Sequence, residues 1–427
     1  MNIKTFSSET CSLLLLLTVL FGFSSVSLAQ PAEALTLKDC FQLALNRSET
    51  IAINAEFIKE AEAQMTSSLS GVLPQINYQI YSQWQDSGGS GEGSQRSRYR
   101  RFTFSQPLFS GFKEYAAIAA AKAQHKQRKS QLKRAKQLLF TDVSDAFYFL
   151  LSYQEDLQVL EDIHKVLLDT GKELKRRRGV GRSRESELAF AEASLYKTEA
   201  DQESVRSQLE VGRQLLEFLI GQPFTGIKDE ELPYDSVKDM NEFMAKVEQR
   251  PDIQAAQEAL VFAKKSVTVA RAGFWPSVIL NGDAYDRRNG VSSHVAWDIG
   301  LTVNVPVFNG TQTIGQVKLA QAQQKEAELA LSQTRRNAVL DIQNAYTRFT
   351  RDQARLAALK KASDAAGRNY KLQVADYKNS LANNLDVLQS LRDWQDGRRN
   401  YILVKNETKR FYWNLKVATG DIGHDAL

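Results

Sequence analysis

The chain has 427 residues and a formal net charge of +5, which is mild for this length and does not favour a nucleic-acid-binding protein. Beyond the first 29 residues a single cysteine remains, Cys40, so an internal disulfide scaffold is excluded. The small number of prolines, 8, and the abundance of Ala, Gln, Lys, Leu and Arg favour long, exposed helices.

Residues 1–29 have the order of a secretory signal peptide. Lys4 precedes an apolar run from Leu13 to Phe23, and the small residues around Ala29 offer a cleavage site. That run of about 11 residues is too short to span a bilayer as a helix. No other stretch is long and apolar enough for a transmembrane helix. We therefore expect a mature protein that is either soluble outside the cytoplasm or crosses a membrane by strands.

The remaining sequence repeats itself. The segment around Pro74 recurs around Pro276, 202 residues later, and the segment around Pro107 recurs around Pro306, 199 residues later. The difference falls in the interval that holds the glycine-rich stretch 87–94, which predicts a flexible turn. A length change confined to a loop is expected of two structurally equivalent copies. The sequence thus predicts repeat 1 over residues 30–222, a connector over 223–247, repeat 2 over 248–420 and a short tail over 421–427.

Between its paired prolines, each repeat alternates apolar and polar residues. The alternation predicts one strand hairpin over residues 76–108 and another over 278–305. Segments of about ten such residues are typical of membrane barrels, but a hairpin that lies on a soluble core gives the same pattern. Four strands cannot close a barrel alone, and an open sheet edge is not tolerated in lipid. Strands that cross a membrane would therefore require the chain to oligomerise.

Long helices follow each hairpin. From Phe112 to Arg178 there is no proline, and apolar residues recur at seven-residue spacing, as at Val143, Leu150 and Leu157. That spacing predicts coiled-coil packing. Each repeat is expected to begin with a helix and to continue, after its hairpin, with two long ones. These are residues 112–178 and 183–219 in repeat 1, and residues 311–377 and 385–415 in repeat 2.

No motif in the sequence predicts an enzyme. The four histidines are scattered, and no glycine-rich phosphate loop, cysteine cluster or nucleophile motif is present. His164 falls on a coiled-coil position, where packing or a polar break is expected rather than metal binding. Cys40 is expected in the core. We therefore predict no catalytic residues, no cofactor and no metal site.

Three short motifs complete the pattern. Residues 107–111 read Pro-Leu-Phe-Ser-Gly, residues 306–310 read Pro-Val-Phe-Asn-Gly, and residues 250–252 read Arg-Pro-Asp. Together with the signal peptide and the duplication, these motifs resemble the outer membrane efflux protein (TolC-like) family over nearly the whole mature chain. The resemblance implies a mainly α fold, in which each two-repeat protomer of a homotrimer gives four strands to a twelve-stranded outer-membrane β-barrel and its long coiled-coil helices to a periplasmic tunnel.

The resemblance also implies a function. A channel of this family is the passive exit duct of a tripartite efflux or type I secretion system for drugs, metal ions or proteins. It contacts lipid in the outer membrane and is joined, through a periplasmic adaptor protein, to an inner-membrane transporter. One alternative is a periplasmic adaptor itself, which would carry a single helical hairpin beside soluble β domains. Another is a secreted coiled-coil structural protein, which would not explain the aromatic strands.

A pore constriction is implied at the periplasmic end of the tunnel. The acid that matches the family's inward-pointing one is Asp386, which follows Tyr377 at the start of a helix, and Glu187 is its equivalent in repeat 1. Three carboxylates around one axis would repel one another and attract cations. Gln389 and Ala382 replace a second acid and a basic residue of the family, so we expect one acidic ring. The alternative role of Asp386 is to stabilise its helix N-terminus.

Two turns between the long helices are expected to form the periplasmic tip that meets an adaptor. In the family, small residues there let another helical tip approach closely, and Gly181 fits this pattern whereas Ser380 departs from it. Basic residues at 175–178 and Arg184 flank the first turn; the alternative role for them is a solvated helix end. The predicted contact residues are Gly181, Arg182, Ser380 and Leu381.

Overall fold

A computed structural model of the chain describes residues 34–85, 95–230, 239–288 and 294–422. The predicted signal peptide, the glycine-rich turn at 87–94 and most of the predicted tail lie outside the described residues. Long helices make up most of the described chain, and a single sheet is connected to one end of them.

The first helix of repeat 1 begins at Leu37, three residues after the first residue that the structure describes. The Thr36 hydroxyl accepts a hydrogen bond from the Asp39 N–H and the Asp39 carboxylate accepts one from the Thr36 N–H, so a capping box starts the first helix. The third helix has 67 residues and extends for about 100 Å at about 1.5 Å per residue. The helices of this repeat are α1 (Leu37–Arg47), α2 (Glu49–Leu69), α3 (Lys113–Gly179) and α4 (Glu185–Ile220).

Repeat 2 has the same arrangement of long helices, preceded by a short helix in the expected connector. These helices are α5 (Met240–Met244), α6 (Pro251–Arg271), α7 (Gln312–Lys378) and α8 (Asn384–Ala418). Helices α3 and α7 each start one residue later than expected, because Phe112 and Thr311 have φ values of +63° and +70° and cannot belong to a right-handed helix. No described helix is long and apolar enough to span a membrane.

Four strands form one antiparallel sheet in the order β1-β2-β3-β4. They are β1 (Gln75–Gln85), β2 (Gln95–Ser110), β3 (Ser277–Arg288) and β4 (Trp297–Asn304). The central pairing joins β2 of repeat 1 to β3 of repeat 2, so the two hairpins become a single sheet. The register shifts between Pro107 and Phe109, where proline has no N–H to offer the ladder. Strands β1 and β4 are left as the two edges of the sheet.

The register gives the sheet an apolar face and a polar face. Tyr78 pairs with Phe102, and Leu280 pairs with Leu301. Because directly opposite residues lie on the same face of a sheet, these pairs belong to the apolar face. On the other face, the Arg101 guanidinium lies 2.6 Å from the Asp283 carboxylate. Further members of the apolar face are Ile76, Ile80, Phe104, Val278, Trp297, Ile299 and Val303.

Backbone conformation repeats with the sequence. Within the described residues, every residue with a left-handed φ has a counterpart 199 residues away that also has one. That spacing is the offset between the two sequence copies, so the turns of repeat 1 and repeat 2 have the same backbone geometry. The four pairs are Gly111 with Gly310, Phe112 with Thr311, Gly181 with Ser380, and Gly221 with Gly420.

A buried arginine holds the three helices of repeat 2 together. Arg250 is 1% exposed, and its guanidinium donates hydrogen bonds to Asp252 at 2.7 Å, to the Ala418 carbonyl at 2.9 Å and to Asp341 at 3.1 Å. Burial alone would raise the pKa of Asp252, but the hydrogen bonds and charge of Arg250 outweigh it and lower that pKa. Arg250 thus links the start of α6 to the middle of α7 and the end of α8.

Apolar packing joins the two repeats beside this arginine. The Phe140 ring of α3 contacts Phe41 of α1 and Trp413 of α8, each at 5.1 Å between ring centroids. Cys40 lies fully buried in the same cluster. Burial raises the pKa of its thiol to about 12, so the reactive thiolate is absent at neutral pH.

Candidate functional site at the helical tip

The turns that end α3 and α7 have one geometry. Gly181 and Ser380 have φ values of +74° and +62°, which is the left-handed conformation that closes a helix C-terminus. The next residue in each turn donates its N–H back to the helix: Arg182 to the Arg177 carbonyl and Leu381 to the Asp376 carbonyl, both at 2.8 Å. The turn in repeat 2 therefore holds a serine in a conformation that favours glycine.

Side chains at both turns are open to solvent. Leu381 is 78% exposed, and Arg182 and Ser380 are exposed as well. A Cβ placed on Gly181 would meet no atom within 4 Å. The structure thus brings the four predicted contact residues to two adjacent helix-to-helix turns, which remain our proposal for the adaptor contact.

The predicted basic residues beside the first turn are partly neutralised by acids. Arg178 lies 2.6 Å from the Glu185 carboxylate, and Arg177 lies 2.7 Å from Glu173, which also contacts Arg176. These ion pairs hold the last turn of α3 and connect it to the first turn of α4.

Tyr377 contacts an arginine that the sequence did not single out as its partner, and Glu187 lies near Tyr377. The Arg177 guanidinium donates to the Tyr377 hydroxyl at 3.0 Å and lies 4.8 Å from the centre of its ring. Burial raises the pKa of Tyr377; Arg177 opposes this shift, while Glu187 and Glu173 add to it. Glu187 accepts a hydrogen bond from Ser183 at 2.6 Å. The cluster connects the ends of α3 and α7 to the start of α4.

Asp386 and Gln389 lie apart from that cluster, on exposed positions of α8. Asp386 completes a capping box with Asn383: its N–H donates to the Asn383 side chain at 3.0 Å, and its carboxylate accepts from the Asn383 N–H at 3.3 Å. Gln389 donates to Asp393 at 2.8 Å. The helical spacing puts Asp386, Gln389 and Asp393 on one face. Asp393 is an acid on this face that the sequence analysis missed, although its seven-residue spacing from Asp386 could have revealed it.

Above the tip, α8 is tied to the helices of repeat 1 by ion pairs. Arg399 contacts the Asp156 carboxylate of α3 at 2.7 Å and 2.9 Å, and Asp156 is only 1% exposed. Lys405 lies 2.6 Å from Glu155 one residue earlier. Loss of Arg399 would leave the buried Asp156 carboxylate without its partner, which is costly, so this contact fixes the position of α8 against α3.

The described residues contain no group of three His, Cys, Asp or Glu side chains able to hold a metal ion. His164 lies 3.1 Å from Glu199 on the neighbouring helix α4, in a partly buried contact. His125 makes a similar contact with Glu62, at 3.0 Å. Both histidines therefore connect helices to their neighbours.

Comparison with known proteins gives a consistent result. The model of the outer membrane efflux protein family matches residues 40–222 and 246–421, which includes most of both repeats. Proteases secretion protein PrtF of Dickeya chrysanthemi is 22% identical over 96% of this chain and 93% of that protein. Nodulation protein T of Rhizobium leguminosarum bv. trifolii is 22% identical over 67% of this chain, which spans 64% of that relative.

Solved structures show the same fold. The crystal structure of CusC superposes with a TM-score of 0.80 at 18% identity, over 92% of this chain and 95% of that one. A match over 92% of this chain includes helices and strands together. The family match over both repeats favours the channel over a periplasmic adaptor or a secreted coiled-coil protein. The chain belongs to the outer membrane efflux protein family, and it is an outer-membrane channel protein of the TolC type.

Proposed function

We propose that three copies of this chain close a twelve-stranded barrel and form the exit duct of a tripartite efflux or type I secretion system. In this proposal, repeat 1 extends over residues 30–222 and repeat 2 over 248–420, joined by the connector at 223–247. A periplasmic adaptor links the tip of the duct to an inner-membrane transporter. The named relatives act in protease secretion and in nodulation, so we propose the cargo only as drugs, metal ions or proteins.

The observation that carries this proposal is a sheet with two open edges and an exposed apolar face. Strands β1 and β4 each pair on one side only. On the apolar face, Ile80 is 70% exposed and Ile299 is 69% exposed. Such a face is stable against lipid, but the unpaired N–H and C=O groups at the edges are costly there. Pairing β4 of one copy with β1 of the next satisfies those groups and closes the sheet.

The polar face supports a water-filled interior. The Arg101 guanidinium forms an ion pair with the Asp283 carboxylate and also donates a hydrogen bond to the Gln79 side chain at 2.9 Å. Asn281 accepts from Ser105 and donates to Thr302, both at 3.2 Å. Side chains that satisfy one another in this way suit the inside of a barrel, where charged and polar groups face water.

At the periplasmic end we propose a constriction formed by Asp386, Glu187, Gln389 and Tyr377. Asp386 and Gln389 would face the axis on α8, and the contact between Arg177 and Tyr377 would hold α7 beside α3 when the end is closed. The proposed adaptor contact is the pair of turns at residues 181–182 and 380–381. The exposure of Leu381 and the open space around Gly181 support this contact, because another helical tip could pack there.

Cysteine cross-linking between edge strands tests the assembly. Asn77→Cys on β1 is combined with Thr302→Cys on β4, and in a second variant with Asn304→Cys, which samples a neighbouring register. Oxidation is expected to give covalent dimers and trimers in the outer-membrane fraction, while each single variant stays monomeric on denaturing gels. Cys40 is buried and unreactive, so it can be kept. Monomers in every combination, from protein located in the outer membrane, would argue against edge-to-edge closure.

A further inference from the structure

The apolar face of β2 becomes basic toward the hairpin turn. Phe102 pairs with Tyr78, Arg100 with Ile80, and Arg98 with Ser82 along the β1–β2 register. Because alternate residues of a strand share a face, Arg98 and Arg100 lie on the same face as Phe102. The three positions follow one another away from the helices, so the basic end of the face is the one farthest from the periplasmic part.

An irregularity in β3 adds a third arginine to this end. Arg101 pairs with Tyr285 but Arg100 pairs with Arg287, so Asp286 is an extra residue in β3. Pairing with Arg100 puts Arg287 on the apolar side of the sheet. The Asp286 carboxylate lies 2.8 Å from the Arg100 guanidinium.

Two of these arginines have no ion-pair partner among the residues that the structure describes. Arg98 and Arg287 are exposed, and within the described part of the chain no carboxylate lies at ion-pair distance from either. Among the described residues of this patch there are three arginines and one acid, Asp286, which contacts Arg100, so the described part has an excess of two positive charges. Strands β2 and β3 are the inner strands of the four, so the neighbouring copies that pair with the edges leave this patch uncovered.

Neighbouring residues indicate how deep this patch lies in the membrane. Trp84 is 66% exposed on the same face of β1, at the end of that strand toward the hairpin turn. Exposed aromatic residues at the ends of membrane strands mark the boundary between lipid tails and headgroups. Arginine is costly at the bilayer midplane but costs little at the boundary, so this is a depth that tolerates it.

We propose that Arg98, Arg100 and Arg287 form a binding surface for the phosphate groups of lipid A, the phosphorylated glycolipid of the outer leaflet. The inference rests on the proposed function, which turns the apolar face outward and the hairpin turns away from the periplasm. A guanidinium matches phosphate oxygens in a two-pronged, charge-assisted contact. Asp286 fixes Arg100, and Arg98 and Arg287 are free to take the phosphates.

Arg288 offers a matched control on the opposite face. It pairs with Tyr99, and its guanidinium lies 4.4 Å from the centre of the Tyr285 ring, on the polar side of the sheet. Arg288→Gln removes one charge at the same height but on the side that faces the channel. It is therefore expected to leave lipid binding unchanged.

Binding is measured with the purified full-length trimer in detergent, titrated with fluorescent bisphosphorylated lipid A. The matched probe is monophosphoryl lipid A, and inorganic phosphate is the competitor. Wild type is expected to prefer the bisphosphorylated lipid, and inorganic phosphate should compete only weakly because it lacks the acyl chains. The double variant Arg98→Gln with Arg287→Gln should bind more than about tenfold more weakly, because loss of either charge-assisted contact alone accounts for about that factor.

Three outcomes would overturn this inference: equal binding of both lipids by wild type, unchanged affinity in the double variant, or an equal loss in Arg288→Gln. The comparison of the two lipids needs no variant, so it stands even if the double variant fails to assemble. Trimers that occupy the outer membrane but show no phosphate preference contradict this inference alone. Absence of a wild-type trimer contradicts the proposed function instead.

Discussion

Arg177 of α3 donates a hydrogen bond to the Tyr377 hydroxyl of α7 at 3.0 Å, so the equivalent long helices of the two repeats are joined beside the tip. The same guanidinium is held by Glu173 at 2.7 Å. A bond between the first repeat and the second at this point resists movement of α7 and α8 away from α3 and α4. We expect it to favour the closed state of the channel.

Tyr377→Phe keeps the ring contact with Arg177 and removes the hydrogen bond. The loss of about 0.5–1.5 kcal/mol should shift the equilibrium toward the open state by roughly two- to tenfold. Single-channel recording in planar bilayers measures this as a higher open fraction. Tyr370→Phe is the control, because this tyrosine lies in the same helix α7 as Tyr377 but its ring stacks on Trp394 of α8. Equal open fractions in wild type and Tyr377→Phe would show that this hydrogen bond does not favour the closed state.

Asp386→Asn separates the two roles of this acid. If Asp386 belongs to a ring of carboxylates at the constriction, the variant should lose cation preference and block by multivalent cations. If the residue only caps α8, selectivity stays unchanged and stability alone falls, by about 0.5–2 kcal/mol. Reversal potentials in a salt gradient distinguish the roles. Asp393→Asn, one exposed acid further along the same face, tests whether a second ring contributes.

Substitutions at the two turns distinguish the effect of side-chain size from the effect of backbone strain. Gly181→Trp should abolish export while the trimer stays intact, because a large side chain blocks approach of another helical tip. Gly181→Ala introduces the same backbone strain, because the φ of +74° disfavours any side chain. It adds little bulk, so this variant should still export. Ser380→Gly should stabilise its turn by relieving a φ of +62°. Export is followed with an efflux substrate, and assembly by gel migration. Normal export by Gly181→Trp would exclude this contact.

Acid should weaken the buried cluster around Arg250. The pKa of Asp252 is lower in the folded protein, so its contribution to stability is present above the unfolded value, about 3.9, and is lost as pH falls through the folded value. Asp252→Asn should therefore lower the free energy of unfolding at pH 7 by about 1.5–3 kcal/mol, seen as a lower unfolding temperature. The variant should lose less stability than wild type when the pH is lowered. Asp169→Asn, at an exposed ion pair with Lys172, is the control. Parallel acid profiles for wild type and Asp252→Asn would contradict the assignment.

The sequence predicted the elements that depend on pattern. Alternation revealed both hairpins, and the 199-residue offset predicted equivalent turns at Gly181 and Ser380, because these features are encoded locally. The offset did not reveal that Phe112 and Thr311 adopt left-handed backbones, since neither residue type favours that conformation.

Contacts between distant elements could not be predicted in the same way. The bond between Arg177 and Tyr377 joins residues 200 positions apart, and only the packed helices bring them together. The capping box of Asn383 with Asp386 is local, and its residue types could have indicated it. The role of Asp386 at a constriction depends on neighbouring copies and stays a prediction.

The two faces of the sheet are represented by two neighbouring residues of β4: Leu301 lies on the apolar face and Thr302 on the polar face. Leu301→Arg puts a charge toward lipid, which costs about 2–4 kcal/mol near the midplane, whereas Thr302→Arg puts the same charge toward water. Yield of the assembled trimer in the outer-membrane fraction is the measurement. We predict that Leu301→Arg assembles poorly and Thr302→Arg assembles nearly as well as wild type. Equal yields from the two variants, or the reverse order, would contradict the account.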